Sequence, residues 1–313
     1  MAEGLKPLSN WGLYMRSERA LWLIIFLAPA LLLMLVFTVL PAVTALGYSL
    51  FSWTSFNREA FVGLENFRKL LAFPFRDDFL RALSHNLLAF AGLMILQNGL
   101  GLLLAYALWK QPPFFKFFRA TVFLPVILSL VVVGFLWLLF FDPLIGPLTK
   151  LANAIGVTSF APLGDPRYAL LTLMLVNTWR WVGFPALVFL AGMNNISEEY
   201  FEAARLDGAT EGQVFRQIVL PLLAPAFTII VLLTFIGAME WFELPYVMAG
   251  VSGNPGKATD TLGLMFYRLA FGAASEATSN VGLAAAISVI LFVIVGVGSA
   301  IGSRVLRSRE VEL

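Results

Sequence analysis

Two sets of side chains carry charge or hydrogen-bonding capacity where apolar residues surround them. The first is Arg180, Glu240 and Glu243, with Asn177, Trp179, Trp181 and Trp241 among them. Ionisable groups inside long apolar runs are costly, so they face a cavity or one another. Carboxylates, a guanidinium, an amide and indole rings together suit a sugar: the polar atoms match hydroxyls, and the rings cover the C–H faces of a pyranose. Asn177 and Trp181 stand four apart with Arg180 close by, and Glu240 stands three from Glu243, so each pair falls on one helix face. Against this reading, the indoles also suit an interfacial belt, and Arg180 and Glu240 sit at depths that suit a structural ion pair. The pair is expected to close without sugar, with hydroxyls competing for one partner.

The second set lies in a polar segment, 194–221, between two apolar runs. Ser197 suits an N-cap, and Glu198 and Glu199 fall in a first turn where the helix dipole favours anions. Gly208 suits the left-handed position that ends a helix. A short helix, a glycine hinge and a second short helix leading into the next run are expected. Ala203 and Ala204 give the first helix a small-residue face open to close approach. Five acids (Glu198, Glu199, Glu202, Asp207, Glu211) stand against Arg205 and Arg216, a net of −3. Such a protrusion should avoid anionic lipid and suits a basic protein partner. A plain surface linker remains the alternative.

The elements that hold these groups follow from composition. The chain has 313 residues, 59% hydrophobic and only 13% charged, with Phe 29 and Trp 8, and a mean hydropathy of +0.85. A soluble domain carries about 25% charged residues, so a water-soluble enzyme and a disordered chain are both excluded. The net charge of +2 points away from nucleic acid. Six stretches are long and apolar enough to cross roughly 30 Å of hydrocarbon: about 20–50, 86–109, 120–141, 169–193, 222–248 and 281–301. Backbone groups in lipid must pair internally, so the fold class is an all-α membrane protein of six transmembrane helices. A cytoplasmic segment 1–19, a membrane domain 20–303 and a tail 304–313 complete the division.

Pro29 and Pro41 should kink the first span, which is too long for a signal-peptide core of about 7–15 residues and is expected to remain as an anchor. Lys6, Arg16 and Arg19, then Lys110, Lys116 and Arg119, then Arg304, Arg307 and Arg309 fall on one face of a six-span chain, which should be cytoplasmic. Arg58, Arg68, Lys69, Arg76 and Arg81 on the opposite side weaken the asymmetry. Both termini are expected in the cytoplasm. Gly298 and Gly302 mark a packing seam in the last span, and Gly92, Gly99 and Gly101 another in the second.

Chemistry of its own is hard to find. The nearest approach to G-x-x-x-x-G-K-[ST] is Gly256-Lys257-Ala258-Thr259, with Val251 in the first glycine's place and Ala258 where the hydroxyl should be. It reads as a turn, so energy must come from a partner. His85 is the only histidine and there is no cysteine, which argues against a zinc site, a thiol nucleophile and a Ser-His triad. No catalytic residue, metal site or bound cofactor is expected.

The spacing Glu202-Ala203-Ala204, three residues, Gly208, nine residues, Ile218-Val219-Leu220-Pro221 resembles the EAA loop of ATP-binding-cassette (ABC) importer permeases. Pro29 to Phe56, with Pro41 and the ending Tyr48-Ser49-Leu50-Phe51-Ser52-Trp53, is similar to the first span of sugar-type permeases. Phe61-Val62-Gly63-Leu64-Glu65-Asn66-Phe67 looks like the next segment in chains resembling the maltose permease F chain. Leu244-Pro245-Tyr246-Val247-Met248 and 258–271 resemble the exit of the family's fifth span, whereas Gly250 to Pro255 departs from its compact turn.

The resemblance implies a carbohydrate-uptake permease in the bacterial or archaeal inner membrane, working by alternating access. Its partners would be a second, homologous permease chain, two ATPase subunits holding ATP and Mg, and an extracytoplasmic sugar-binding protein. Glu202, Ala203, Ala204, Asp207, Gly208, Ile218, Leu220 and Pro221 would couple to the ATPase, Glu202 by pairing with a basic residue and Gly208 by setting the bend. Substrate contacts would come from Asn177 and Trp179 and from the stretch around Thr234, Gly237, Ala238 and Trp241, where Gly237 and Ala238 replace polar residues of relatives. An ion-coupled secondary transporter is the alternative class, disfavoured by the lack of an internal repeat. A membrane-bound transferase would need an acid or histidine cluster at the membrane face. Within the importer class, a non-sugar cargo stays open.

Overall fold

The computed structural model describes residues 11–157, 160–272 and 279–308, with side chains from residue 22 onward. Lys6 and Arg309 fall outside these residues, and of Arg16 and Arg19 only the backbone is described. The chain divides into two units, the first ending at Tyr48 and the second beginning at Ser49. In the first, α1 (Trp11–Met34) carries Pro29 inside it and runs through a π turn (Leu35–Val39) into α2 (Leu40–Ser49). Proline has no N–H for the helical ladder, and the widened turn ends two residues before Pro41.

The second unit opens with an antiparallel hairpin, β1 (Phe51–Thr54) against β2 (Asn57–Phe61), in which Phe51 pairs with Phe61 and Thr54 with Asn57. Next comes α3 (Glu65–Leu70), whose buried Asn66 donates to the Ser49 and Phe51 carbonyls at 2.8 Å each. The helices α4 (Arg76–Leu93) and α5 (Gly99–Trp109) join through a π turn, Met94–Asn98. The chain continues with α6 (Phe115–Phe123), a 3-10 turn (Leu124–Ile127), α7 (Leu130–Phe140), α8 (Pro147–Ala154), α9 (Pro166–Trp181) and α10 (Gly183–Asn194). Then come α11 (Glu198–Leu206), α12 (Glu211–Val214), a π turn (Phe215–Val219), α13 (Leu220–Leu222) and α14 (Ala224–Met239). The last three are α15 (Glu243–Ala249), α16 (Leu262–Phe271) and α17 (Val281–Arg307).

Among the described residues three helices are long and apolar enough to span a membrane: Trp22–Ser49, Arg76–Trp109 and Val281–Arg307. Three bent pairs raise the number to six if each pair counts as one span. The bends break stretches that the sequence reads as single helices. The stretch 120–141 is two helices at 100°, because Pro125 breaks the ladder and Leu128 and Ser129 are extended. The stretch 169–193 bends by 48° between Trp181 and Gly183. The helix entering the fifth stretch bends by 65° at Leu223, before Pro225. That stretch does not run to Met248: α14 stops at Met239, and α15 is a separate helix.

Three apolar clusters hold the second unit together. Leu70, Phe79, Leu262 and Ile287 join α3, α4, α16 and α17. Leu108, Phe189, Phe201, Val219 and Ile230 join α5, α10, α11 and α14. Ala89, Val133, Leu173 and Leu244 join α4, α7, α9 and α15. A Cβ on Gly298 would stand 2.5 Å from the Phe235 ring, so the glycine seam of α17 packs on α14. Gly101 likewise packs against Pro185, whereas among the described residues nothing lies within 4 Å of a Cβ at Gly99.

Candidate functional site

The polar segment folds as its local chemistry directs. Ser197 Oγ accepts the Glu199 N–H and starts α11; Gly208 follows with φ +73°, a conformation open to glycine and strained for a side chain. Thr210 and Gln213 form a capping box on α12. Phe201 is buried, its ring 5.2 Å from that of Trp109, and Phe215 meets Tyr106 at 4.6 Å. Lys110 pairs with Glu211 at 3.2 Å across the same seam. These contacts seat α11 on the end of α5 and leave Glu202, Ala203, Asp207 and Gly208 exposed, with Leu206 90% exposed. One expectation is corrected. Ala204 is buried against its own chain, because it follows Phe201 by three residues on the inward face, so Ala203 alone remains of the small exposed face. Pro221 is exposed, Ile218 and Leu220 half-buried.

The intramembrane set is arranged differently from its sequence reading. Among the described residues Arg180 forms no ion pair. Its Nε donates to the Leu128 carbonyl at 3.3 Å, and its guanidinium lies 5.1 Å over the Trp181 ring. The reason is the break between α6 and α7, which strands the Leu128 carbonyl beside Arg180. Glu240 caps the end of α14 and lines a cavity of about 360 Å³ with Phe266, Ser288 and Phe292. Glu243 begins α15 instead. Because α14 ends between them, the two carboxylates do not share a helix face.

Trp179 is half-exposed and meets Trp137 edge-on at 5.5 Å; Trp181 stacks on Phe184 at 5.3 Å; Trp241 is buried in the core shared by α4, α7, α9 and α15. Asn177 is joined to Thr234 through two residues that the sequence reading passed over. Asn177 Nδ2 donates to Gln97 Oε1 at 2.9 Å, Gln97 Nε2 to Asn98 Oδ1 at 3.2 Å, and Asn98 Nδ2 to Thr234 Oγ1 at 2.9 Å. Two adjacent amides inside an apolar run are the signal that could have found them.

Asn86 was also passed over. Its Nδ2 donates to the Ala238 and Met239 carbonyls at 2.6 and 3.1 Å, and its Oδ1 accepts the Leu262 N–H at 3.0 Å. The 250–261 turn is fixed by a buried Asp260–Arg268 pair, by His85 against the Asp260 carbonyl at 2.8 Å, and by Lys257 on Asp78 at 2.6 Å. The near-match to a phosphate-binding loop is therefore a turn whose lysine is engaged by a carboxylate.

The described residues thus form a helical bundle with broken apolar stretches and a capped helix, α11, with one face exposed. Comparison with known proteins supplies the class. Residues 84–301 match the model of the family described as "binding-protein-dependent transport system inner membrane component". The probable ABC transporter permease protein YurN of Bacillus subtilis is 35% identical over 275 residues, covering 86% of this chain and 90% of that one. The probable starch degradation products transport system permease protein AmyD of Thermoanaerobacterium thermosulfurigenes is 28% identical over 298 residues, 95% and 97% of the two chains. A chain from the crystal structure of a bacterial ABC transporter importing the acidic polysaccharide alginate superposes with a TM-score of 0.76 at 21% identity, covering 95% and 98%.

The chain belongs to the binding-protein-dependent transport system inner membrane components. It is the membrane-embedded permease subunit of an ABC importer.

Proposed function

We propose that this permease carries a carbohydrate, delivered by an extracytoplasmic binding protein, and that α11 couples it to an ATPase subunit. Six spans, counting each bent pair as one, would put both termini and α11 on the cytoplasmic side, in line with the basic residues there. The observation that carries the coupling reading is α11 itself: a helix seated by Phe201 on Trp109, yet presenting Glu202, Ala203, Leu206 and Asp207 outward. An apolar side chain held 90% exposed among carboxylates suits a partner cleft with an apolar floor and basic walls. Carbohydrate cargo is supported by AmyD's description as a permease for starch degradation products and by the indole, amide and carboxylate groups on α9, α14 and α15. A second, homologous permease chain would complete the pathway, and ATP and Mg would be held by two ATPase subunits.

Co-purification of the tagged chain tests the coupling reading, with Gly208→Asp and Glu202→Lys as variants. Wild type should bring down both the second permease chain and the ATPase, and the variants should retain the permease chain and lose the ATPase. A wild type that brings down neither partner, or variants that change nothing, would reduce α11 to a linker.

A further inference from the structure

The hydrogen bonds that join Asn177 to Thr234 have a direction, and that direction can be fixed from chemistry alone. A threonine hydroxyl has one proton. Thr234 Oγ1 lies 2.7 Å from the Ile230 carbonyl, which can only accept, so the proton is committed there. The 2.9 Å contact between Thr234 Oγ1 and Asn98 must then be a donation from Asn98 Nδ2. The other proton of that nitrogen faces Met94 Sδ at 3.1 Å, also an acceptor. Asn98 Oδ1 must in turn accept from Gln97 Nε2, and Gln97 Oε1 from Asn177 Nδ2. Every donor points the same way, from α9 through the π turn to α14. Gln97 and Asn98 are consecutive in the π turn and both are buried, at 3% and 4% exposed.

The geometry points to Gln97, Asn98 and Thr234 as positioning residues that set the amide of Asn177, with its nitrogen turned inward and its oxygen offered as an acceptor to a hydroxyl of the cargo. The inference rests on the carbohydrate reading above for its ligand, though not for its direction. Asn177 is half-buried, and its Oδ1 has no hydrogen-bond partner among the described residues. An amide without the chain could turn either end outward and would meet donors and acceptors alike. A chain anchored at the Ile230 carbonyl removes that freedom and selects a cargo that brings an O–H or N–H.

Side-chain amide spectra of the full chain in lipid nanodiscs, labelled with ¹⁵N at Asn and Gln, test this, with Asn177→Asp identifying the Asn177 signal by its loss. Thr234→Ser keeps the anchoring hydroxyl and should leave the Asn177 signal unchanged. Thr234→Val should speed hydrogen exchange at Asn177 Nδ2 by about fivefold or more, although two residues intervene. Gln97→Glu, recorded at a pH where the carboxyl is ionised, supplies acceptors and no donor, so it should hold Asn177 and loosen Asn98 by removing the donor to its Oδ1. If Thr234→Val leaves Asn177 unmoved, or Gln97→Glu releases Asn177 and holds Asn98, the direction is wrong. Should Thr234→Val not fold, the Gln97→Glu pattern decides alone.

Maltose, sucrose and raffinose are then added to wild type, with permethylated sucrose as a control that has no hydroxyl donor. A shift of the Asn177 signal with a free sugar and none with the permethylated one supports the ligand half. A chain that behaves as described but responds to none of the sugars, or equally to the permethylated one, overturns the carbohydrate reading and leaves the direction standing.

Discussion

The buried pair under the turn between α15 and α16 gives the sharpest quantitative test of how this membrane domain is held. Arg268 donates from Nη1 and Nη2 to the two oxygens of Asp260 at 2.8 and 2.6 Å, and Nη1 also donates to the Val251 carbonyl at 2.8 Å. The residues are 4% and 0% exposed. Removing one partner strands a charge away from water, which costs about 3–5 kcal/mol, whereas replacing both with apolar side chains of similar volume is often neutral. Arg268→Met, which leaves the buried Asp260 carboxylate without its guanidinium, should therefore destabilise the turn by that amount, and adding Asp260→Leu should recover part of the cost.

The chain has no cysteine, so Thr259→Cys, at a position 0% exposed, supplies a unique buried thiol on the same turn. Thiol labelling in nanodiscs should run about a hundredfold to a few thousandfold faster in Arg268→Met than in the parent, since about 1.4 kcal/mol is a factor of ten. It should fall back toward the parent rate in the double variant. An Arg268→Met variant that labels no faster than the parent, or a double variant that labels faster than Arg268→Met, would refute the reasoning.

Other perturbations have equally definite outcomes. Phe201→Ala removes the ring that seats α11 on Trp109 and should cost about 3–5 kcal/mol, read as faster tryptic cleavage at Arg205 and weaker retention of the ATPase. Gly298→Leu forces a side chain into the Phe235 ring and should destabilise the α14–α17 contact by about 1–3 kcal/mol, seen as a lower midpoint of thermal unfolding in detergent. Asp142, in the loop after α7, accepts the Ile145 and Leu144 N–H groups at 2.9 and 2.8 Å, which holds its carboxyl below the usual range. A depressed folded-state value means the stabilisation is present above the unfolded carboxylate value and is lost as pH falls through the folded one. Hydrogen exchange at Leu144 and Ile145, corrected for intrinsic rate, should therefore quicken in acid, and Asp142→Asn should abolish that dependence.

What could be seen in the sequence divides by distance along the chain. The caps of α11 were legible because Ser197, Glu199 and Gly208 act on backbone groups a few residues away. The apolar stretches were legible because burial in lipid needs only composition. Their directions were not: hydropathy is blind to the turn at Leu128 and Ser129, so 120–141 reads as one helix. Arg180 shows the same limit. A cation beside a carboxylate at matching depth suggests a pair, yet a backbone break fifty-two residues earlier supplies the carbonyl it takes. Gln97 and Asn177 are separated by 80 residues and Asn98 and Thr234 by 136. No local pattern links them.

The clamp of Asn86 on the end of α14 has a mechanical consequence. The helix has 16 residues, about 24 Å at about 1.5 Å per residue. A tilt of about 10° pivoting at its α11 end would sweep the other end by about 4 Å. That end is not free to sweep alone. The Ala238 and Met239 carbonyls are fastened to α4, and the same amide holds the first N–H of α16. Any tilt of α14 would therefore be shared as a joint displacement of three helices, α14, α4 and α16. A lever tied to its neighbours transmits a stroke with little slack, and Asn86 is the pin that makes the linkage rigid.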